Sequence, residues 1–140
     1  MNAKEYLLQI ADKNKEIRMQ KEYIRRLNDC LTNMGIIYDK ERVQGSPEYD
    51  KMSKIFGQID EEERKLEEMK HELVDIKVKI ISQIHELEND KFQDILNYVY
   101  VDGMTLKKTA TEMSFSYEYI KELHGPALQA FEEKFLLHTA

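Results

Sequence analysis

Few side chains in this sequence carry strongly reactive chemistry. Four histidines (His71, His85, His124 and His138) and one cysteine (Cys30) are the residues suited to soft-metal ligation or thiol chemistry. His71 and Asp75 stand one helical turn apart and could share a metal. Two ligands without a third do not make a site, so a surface helix pair is the plainer reading. A lone Cys30 excludes an intrachain disulfide and a cysteine-based zinc knuckle. Beside Leu31 it reads as a small, partly buried hydrophobe. No P-loop, GxGxxG, HExxH or GxSxG occurs. Carboxylates are plentiful, but they fall on helix faces with no expected pocket. The chain is therefore not read as an enzyme. No cofactor, metal or small-molecule substrate is expected.

The binding chemistry is more telling. Near the C-terminus, Lys107, Lys108, Ser116, Tyr117, Glu118 and Lys121 fall where one exposed face would present them together. Lysines and a hydroxyl donor suit phosphate oxygens, which supply much of DNA affinity. Glu118 can accept from cytosine N4, although it repels phosphates. Tyr117 and Tyr119 are expected to be exposed beside Ser116, to stack on sugars or bases or to anchor a protein. Tyr98 and Tyr100 are expected to pack inward.

The elements that would position this face are short helices. Phe92, Ile95, Leu96, Val99 and Val101 predict one amphipathic helix, ended by Asp102-Gly103. Thr105 is placed to cap a second helix, Leu106 to Met113, and Ser116 to cap a third. A tight helix-turn-helix needs a small residue at the crossing, supplied by Ala110. Four positions later it needs a residue that tolerates a turn, supplied by Ser114. Met113, Phe115, Ile120 and Leu123 are expected to plug the angle. In DNA-binding versions the third helix enters the major groove; the same spacing also suits an ordinary helical bundle. Gly125-Pro126 predicts a break or kink before a final helix with Ala127, Leu128, Phe131 and Phe135.

Upstream, two seven-residue ladders dominate. Ile10, Ile17, Ile24 and Leu31 form one; Met52, Ile59, Leu66, Leu73, Ile80 and Leu87 form the other. Seven-residue repeats are the signature of coiled coils. Lys13, Gln20, Glu62 and Gln83 interrupt the partner seams, as polar residues that set register commonly do. Gly45-Ser46-Pro47 lies between the ladders, and Ser46 or Ser53 could start the second helix. An antiparallel hairpin is expected, its second helix about 58 Å long at 1.5 Å per residue. Val74, Val78, Ile81 and Ile84 add a second apolar stripe beside Leu73, Ile76, Ile80 and Leu87 that a lone hairpin would leave wet, and Leu73, Val74, Val78, Ile80, Ile81 and Ile84 are the expected oligomerisation residues. Exposure of that stripe would forgo a few kcal/mol, roughly. A second copy of the chain or the C-terminal module is expected to cover it, self-association being the more common solution.

Composition agrees with long helices. The chain has 140 residues, 34% charged and 41% hydrophobic, with 5 Gly and 2 Pro. The net charge is −6, and no segment is strongly basic. Residues 90–140 alone hold 5 basic and 8 acidic side chains. This excludes a general nucleic-acid coat, which would carry a basic surplus. The cluster Asp60-Glu61-Glu62-Glu63, with Glu67-Glu68, reads as a solvated helix face or a docking surface. No membrane span or leader is expected, and the cytoplasm is the expected compartment.

Several stretches carry a resemblance: Glu41-Arg42-Val43-Gln44-Gly45-Ser46-Pro47, Asp50-Lys51-Met52, Leu73-Val74-Asp75-Ile76-Lys77, Tyr100-Val101, and His124-Gly125 before Ala127-Leu128. In this order they resemble small phage and prophage proteins of low-GC Gram-positive bacteria. Those proteins have a C-terminal module like sigma factor region four and are related to late-gene activators of the RinA and ArpU type. The resemblance implies phage gene regulation in a host bacterial cell, through promoter DNA, RNA polymerase or both. Members often carry Arg and His on the third helix, where this chain has Tyr117, Glu118, Tyr119, Lys121 and Glu122. Leu106 stands where an aromatic is frequent.

The expectation is thus an all-α chain. Residues 1–89 form a long antiparallel coiled-coil hairpin, with helices about 3–34 and 51–89 and a linker at 35–50. Residues 90–140 form a sigma-region-four-like helix-turn-helix. Its partners would be double-stranded promoter DNA, bacterial RNA polymerase or both, and a second copy in a homodimer. The alternative is an acidic coiled-coil adaptor or inhibitor of a host protein, without specific DNA binding of its own.

Overall fold

The computed structural model describes residues 1–33 and 47–137, and every regular element among them is helical. We label α1 Ala3–Leu7, α2 Gln9–Asn33, α3 Pro47–His85, α4 Asp90–Leu96, α5 Leu106–Met113 and α6 Tyr117–Phe135. A π-helical turn, Asn97–Val101, extends α4. Met34, most of the expected linker and the Ser46 cap lie outside the described residues. Pro47 opens α3, ahead of the expected start at 51. Its missing N–H costs nothing in a first turn. The helix ends at His85 rather than 89, because the N–H groups of Glu86 and Leu87 bond three residues back, each at 3.1 Å, and tighten the last turn. None of the helices among the described residues is long and apolar enough to cross a membrane.

The chain divides into two compact units, Lys15–Glu72 and Met1–Asn14 with Leu73–Ala140. In Lys15–Glu72 the apolar ladder is buried at Ile17, Ile24, Met52 and Ile59. Gln20 lies opposite Glu62 and Tyr23 opposite Gln58, so the two segments run antiparallel here. The polar seam residues pair with each other. Gln20 Nε2 donates to the Glu62 carboxylate at 2.7 Å and to its backbone carbonyl at 2.9 Å. Lys65 Nζ reaches the other carboxylate oxygen at 3.2 Å. The Gln20 bond, then the Lys65 bond, hold the Glu62 carboxyl below its ordinary range. On the outer face Arg25 pairs with Glu22 and Asp29. Cys30 is exposed, not partly buried, since it lies off the buried stripe of Ile17 and Ile24.

In the other unit, Ala3, Leu7 and Ile10 share one core with Ile80, Ile84, Leu87, Leu96, Tyr100, Ala127 and Phe131. The expected division at residue 89 falls inside this unit, because both chain ends contribute to that core. Asn2 Oδ1 caps α1 by accepting from the Glu5 N–H at 2.8 Å. Tyr6 donates its hydroxyl to Gln83, a second seam interruption, at 2.7 Å. Gln93 Nε2 donates to the carbonyls of His85, the last residue of α3, and of Leu87 just beyond it.

The expected apolar stripe divides in two. Ile80 and Ile84 are fully buried in the chain's own core, and Leu73 packs on its edge. These three cannot serve as a free oligomerisation face. Val74, Val78 and Ile81 remain exposed. The expected break at Gly125-Pro126 does not occur: α6 runs through Pro126. Ile120, Ala127 and Phe131, all fully buried, fasten the helix on both sides of the proline. That packing offsets the hydrogen bond that proline forfeits.

Candidate functional site

Residues 90–137 build the face that the sequence singled out. Asn89 caps α4 by accepting from the N–H groups of Lys91 and Phe92. Thr105 caps α5 through the Lys108 N–H at 3.1 Å. Thr109, fully buried, donates its hydroxyl to the Thr105 carbonyl at 2.8 Å. At the end of α5, Ser114 takes the left-handed conformation, with φ 60° and ψ 39°. The Phe115 N–H then returns to the Ala110 carbonyl at 3.0 Å and closes the helix end. Ser116 starts α6 by accepting from the Tyr119 N–H at 3.1 Å.

Ala110, Ile95 and Ile120 form a small buried cluster where α4, α5 and α6 meet. Leu106, Met113, Leu123 and Val99 pack around it. Phe115, expected to plug this angle, is instead 38% exposed. The left-handed Ser114 carries the chain out of the cluster before Phe115.

Lys107, Lys108, Ser116, Tyr117, Glu118 and Lys121 are all exposed. The four on α6 and its cap lie together. The Lys121 ammonium stands 5.1 Å from the centre of the Tyr117 ring. Glu118 sits in the first turn, where the helix dipole favours a carboxylate. Ser116 spends an acceptor site as the cap and keeps its O–H to donate. Lys107 and Lys108 sit on the first turn of α5, and their ammonium groups make no hydrogen bond among the described residues.

Two further residues join this face: Lys91, which sequence reasoning missed, and Phe115, which it placed in the angle between the helices. Lys91 Nζ is 2.9 Å from the Tyr119 hydroxyl. It also stands 5.4 Å from the Phe115 ring centre and 5.3 Å from that of Tyr119. The two rings meet edge to face at 5.1 Å. Lys91 and Tyr119 are 28 positions apart, so no helical period links them. None of Lys91, Lys107, Lys108 and Lys121 is ion-paired among the described residues.

Behind the face, Tyr100 and His124 are joined at 2.8 Å between the hydroxyl and Nε2. Burial pushes the Tyr100 hydroxyl up; burial, and then the nearby Lys4 charge, push His124 down. Tyr100 belongs to the buried core, and His124, half-buried, is tied to it. His71 and Asp75 are exposed, and among the described residues no three His, Cys, Asp or Glu side chains converge as a metal site.

A family model described as a protein of unknown function (DUF1492) matches residues 31–127. No curated protein and no solved structure gives a match.

Proposed function

The chain belongs to the DUF1492 family, and we propose that it is a transcription regulator, phage-encoded, acting at promoter DNA and RNA polymerase. In this reading α5, the turn at Ser114 and α6 act as a helix-turn-helix. One observation carries it: α6 buries Ile120 completely while its first turns leave Ser116, Tyr117, Glu118 and Lys121 exposed. A helix held from behind in this way, with a free amino-terminal end, suits entry into a major groove. The four lysines without ion pairs among the described residues supply phosphate contacts that the net charge alone would not suggest. The antiparallel segments of α2 and α3 serve as a coiled-coil arm for docking. A second copy pairs through Val74, Val78 and Ile81, which raises effective concentration on DNA.

The test is fluorescence anisotropy with double-stranded DNA selected from a randomised pool, at low and rising salt. Micromolar or tighter binding is expected. Lys107→Ala with Lys108→Ala should weaken it and flatten the slope of log K against log salt by about 1.8, at roughly 0.9 per phosphate. No complex at micromolar protein and low salt overturns this reading. Capture of RNA polymerase without any DNA complex would favour the protein-docking adaptor instead, for which the exposed Glu118 and Glu122 are the supporting feature.

A further inference from the structure

We propose that Lys91, from the helix before the pair, forms with Phe115 and Tyr119 a second DNA-backbone contact that grips a phosphodiester and its deoxyribose. The proposal rests on the DNA-binding reading above and extends it to Lys91, on the helix before the motif, and to Phe115 in its turn. Lys91 belongs to α4, yet its ammonium is 2.9 Å from the Tyr119 hydroxyl on α6. It stands 5.4 Å from the ring centre of Phe115, in the turn. One cation thereby links three elements at the edge of the proposed DNA face.

Three features point to a phosphodiester. Lys91 is exposed and has no carboxylate partner among the described residues. This charge is held in place by a hydroxyl and two rings, which leave it uncompensated. Phe115 is a large apolar side chain, 38% exposed in a turn, next to a capping serine. Its edge-to-face contact with Tyr119 at 5.1 Å holds it rather than covers it. An ordered cation beside an ordered exposed ring matches the alternation of phosphate and sugar along a DNA strand. Tyr119 acts as the brace, since its hydroxyl meets Lys91 and its ring meets Phe115.

The charge balance gives such a contact a reason to exist. Residues 90–140 hold 5 basic and 8 acidic side chains, so each lysine on the DNA side counts. Glu118 and Glu122 lie on the same helix as Lys121 and oppose a phosphate there. Asp90 and Asp94 flank Lys91 in sequence, and neither is within ion-pair distance of it among the described residues.

The test measures binding of the same selected duplex by the full chain, by Lys91→Gln and by Phe115→Ala across a salt series. Circular dichroism checks that both variants fold. Glutamine keeps a donor for Tyr119 and removes the charge, so Lys91→Gln should weaken binding and flatten the salt slope by about 0.9. Phe115→Ala should weaken binding about tenfold at every salt concentration with the slope unchanged, because it removes apolar contact and no charge. If the native chain binds DNA and Lys91→Gln keeps both affinity and slope, this proposal fails and the helix-turn-helix reading stands. If the native chain binds no duplex, both fail. A Phe115→Ala effect confined to polymerase capture, with DNA binding intact, would also overturn the backbone contact.

Discussion

Leu7→Ala should destabilise residues that lie more than a hundred positions away in sequence. Leu7 is fully buried, in a core that includes Ile80, Ile84, Tyr100, Ala127 and Phe131. Full burial of a leucine is worth roughly 1.5–3 kcal/mol. Truncation adds the cost of the cavity, which brings the usual range to about 2–5 kcal/mol. The walls here have little freedom to collapse. Tyr6, next to Leu7, is held by its bond to Gln83 and lies 5.7 Å from the Phe131 ring. Phe131 in turn sits 4.9 Å from Phe135. The upper half of the range follows, about 3–5 kcal/mol.

Urea denaturation followed by helical circular dichroism measures the loss. With a slope of about 1–3 kcal/mol per molar, the midpoint should fall by at least about 1 M. Amide exchange adds location: the amides of α6 around Ala127 and Phe131 should exchange faster. Leu7→Met, which conserves volume, should cost less than about 1.5 kcal/mol. A loss below about 1 kcal/mol for Leu7→Ala, or unchanged exchange in α6, would refute a core shared by the two chain ends.

Three further outcomes are expected. Ser114→Gly should stabilise by about 0.5–1 kcal/mol, since the left-handed conformation costs other residues about 1–2 kcal/mol and glycine returns part of that as unfolded-chain entropy; Gly103→Ala, at φ +73° with open space around it, should cost about 1 kcal/mol, and thermal melts showing the same sign for both would contradict the backbone argument. His124 is held below its ordinary value of 6.5, so it binds its proton more weakly folded than unfolded; its stability contribution is whole above that value and drains as pH falls below it, and the decline in melting temperature from about pH 7.5 to 5 should be shallower in His124→Gln. Gln20→Leu should destabilise by leaving the Glu62 carboxylate to Lys65 alone, and adding Glu62→Leu should restore stability; urea midpoints that fall further in the double variant would count against the paired seam.

Much of the local structure was legible, because caps and heptads act over three to seven residues. Thr105 and Ser116 cap the helices that the sequence assigns them. Gln20 and Glu62 were readable as interruptions of two separate seams, but not as partners, since pairing depends on the register between two antiparallel segments. The proline in α6 misled for a different reason. Its local cost is real, and the buried Ile120, Ala127 and Phe131 outweigh it. The domain boundary was hidden because Ala3, Leu7 and Ile10 look like the start of a coiled-coil ladder, and nothing in that ladder says which surface covers it. Lys91 was invisible at the site because a contact across 28 positions leaves no periodic trace.

The acidity of the chain bears on nucleic acid less directly than a net charge suggests. The sum of −6 counts every side chain equally, while a phosphate responds to the charges within about a Debye length, roughly 8–10 Å in physiological salt. Glu22, Asp29, Glu62 and Glu67 are engaged by Arg25, Lys65 and Lys70 in ion pairs at residues 22–70. Lys91, Lys107, Lys108 and Lys121 have no such partners among the described residues. Paired charges largely cancel at a distance, and unpaired ones do not. If the charges on the proposed DNA face govern binding, removal of an acidic group on α2, which is not among that face's residues, should leave DNA affinity unaltered. Glu22→Gln should therefore not change the salt slope, whereas Glu118→Gln, which relieves repulsion on α6 itself, should raise affinity. Equal effects from the two, read in one anisotropy series, would show that total charge and not its placement decides.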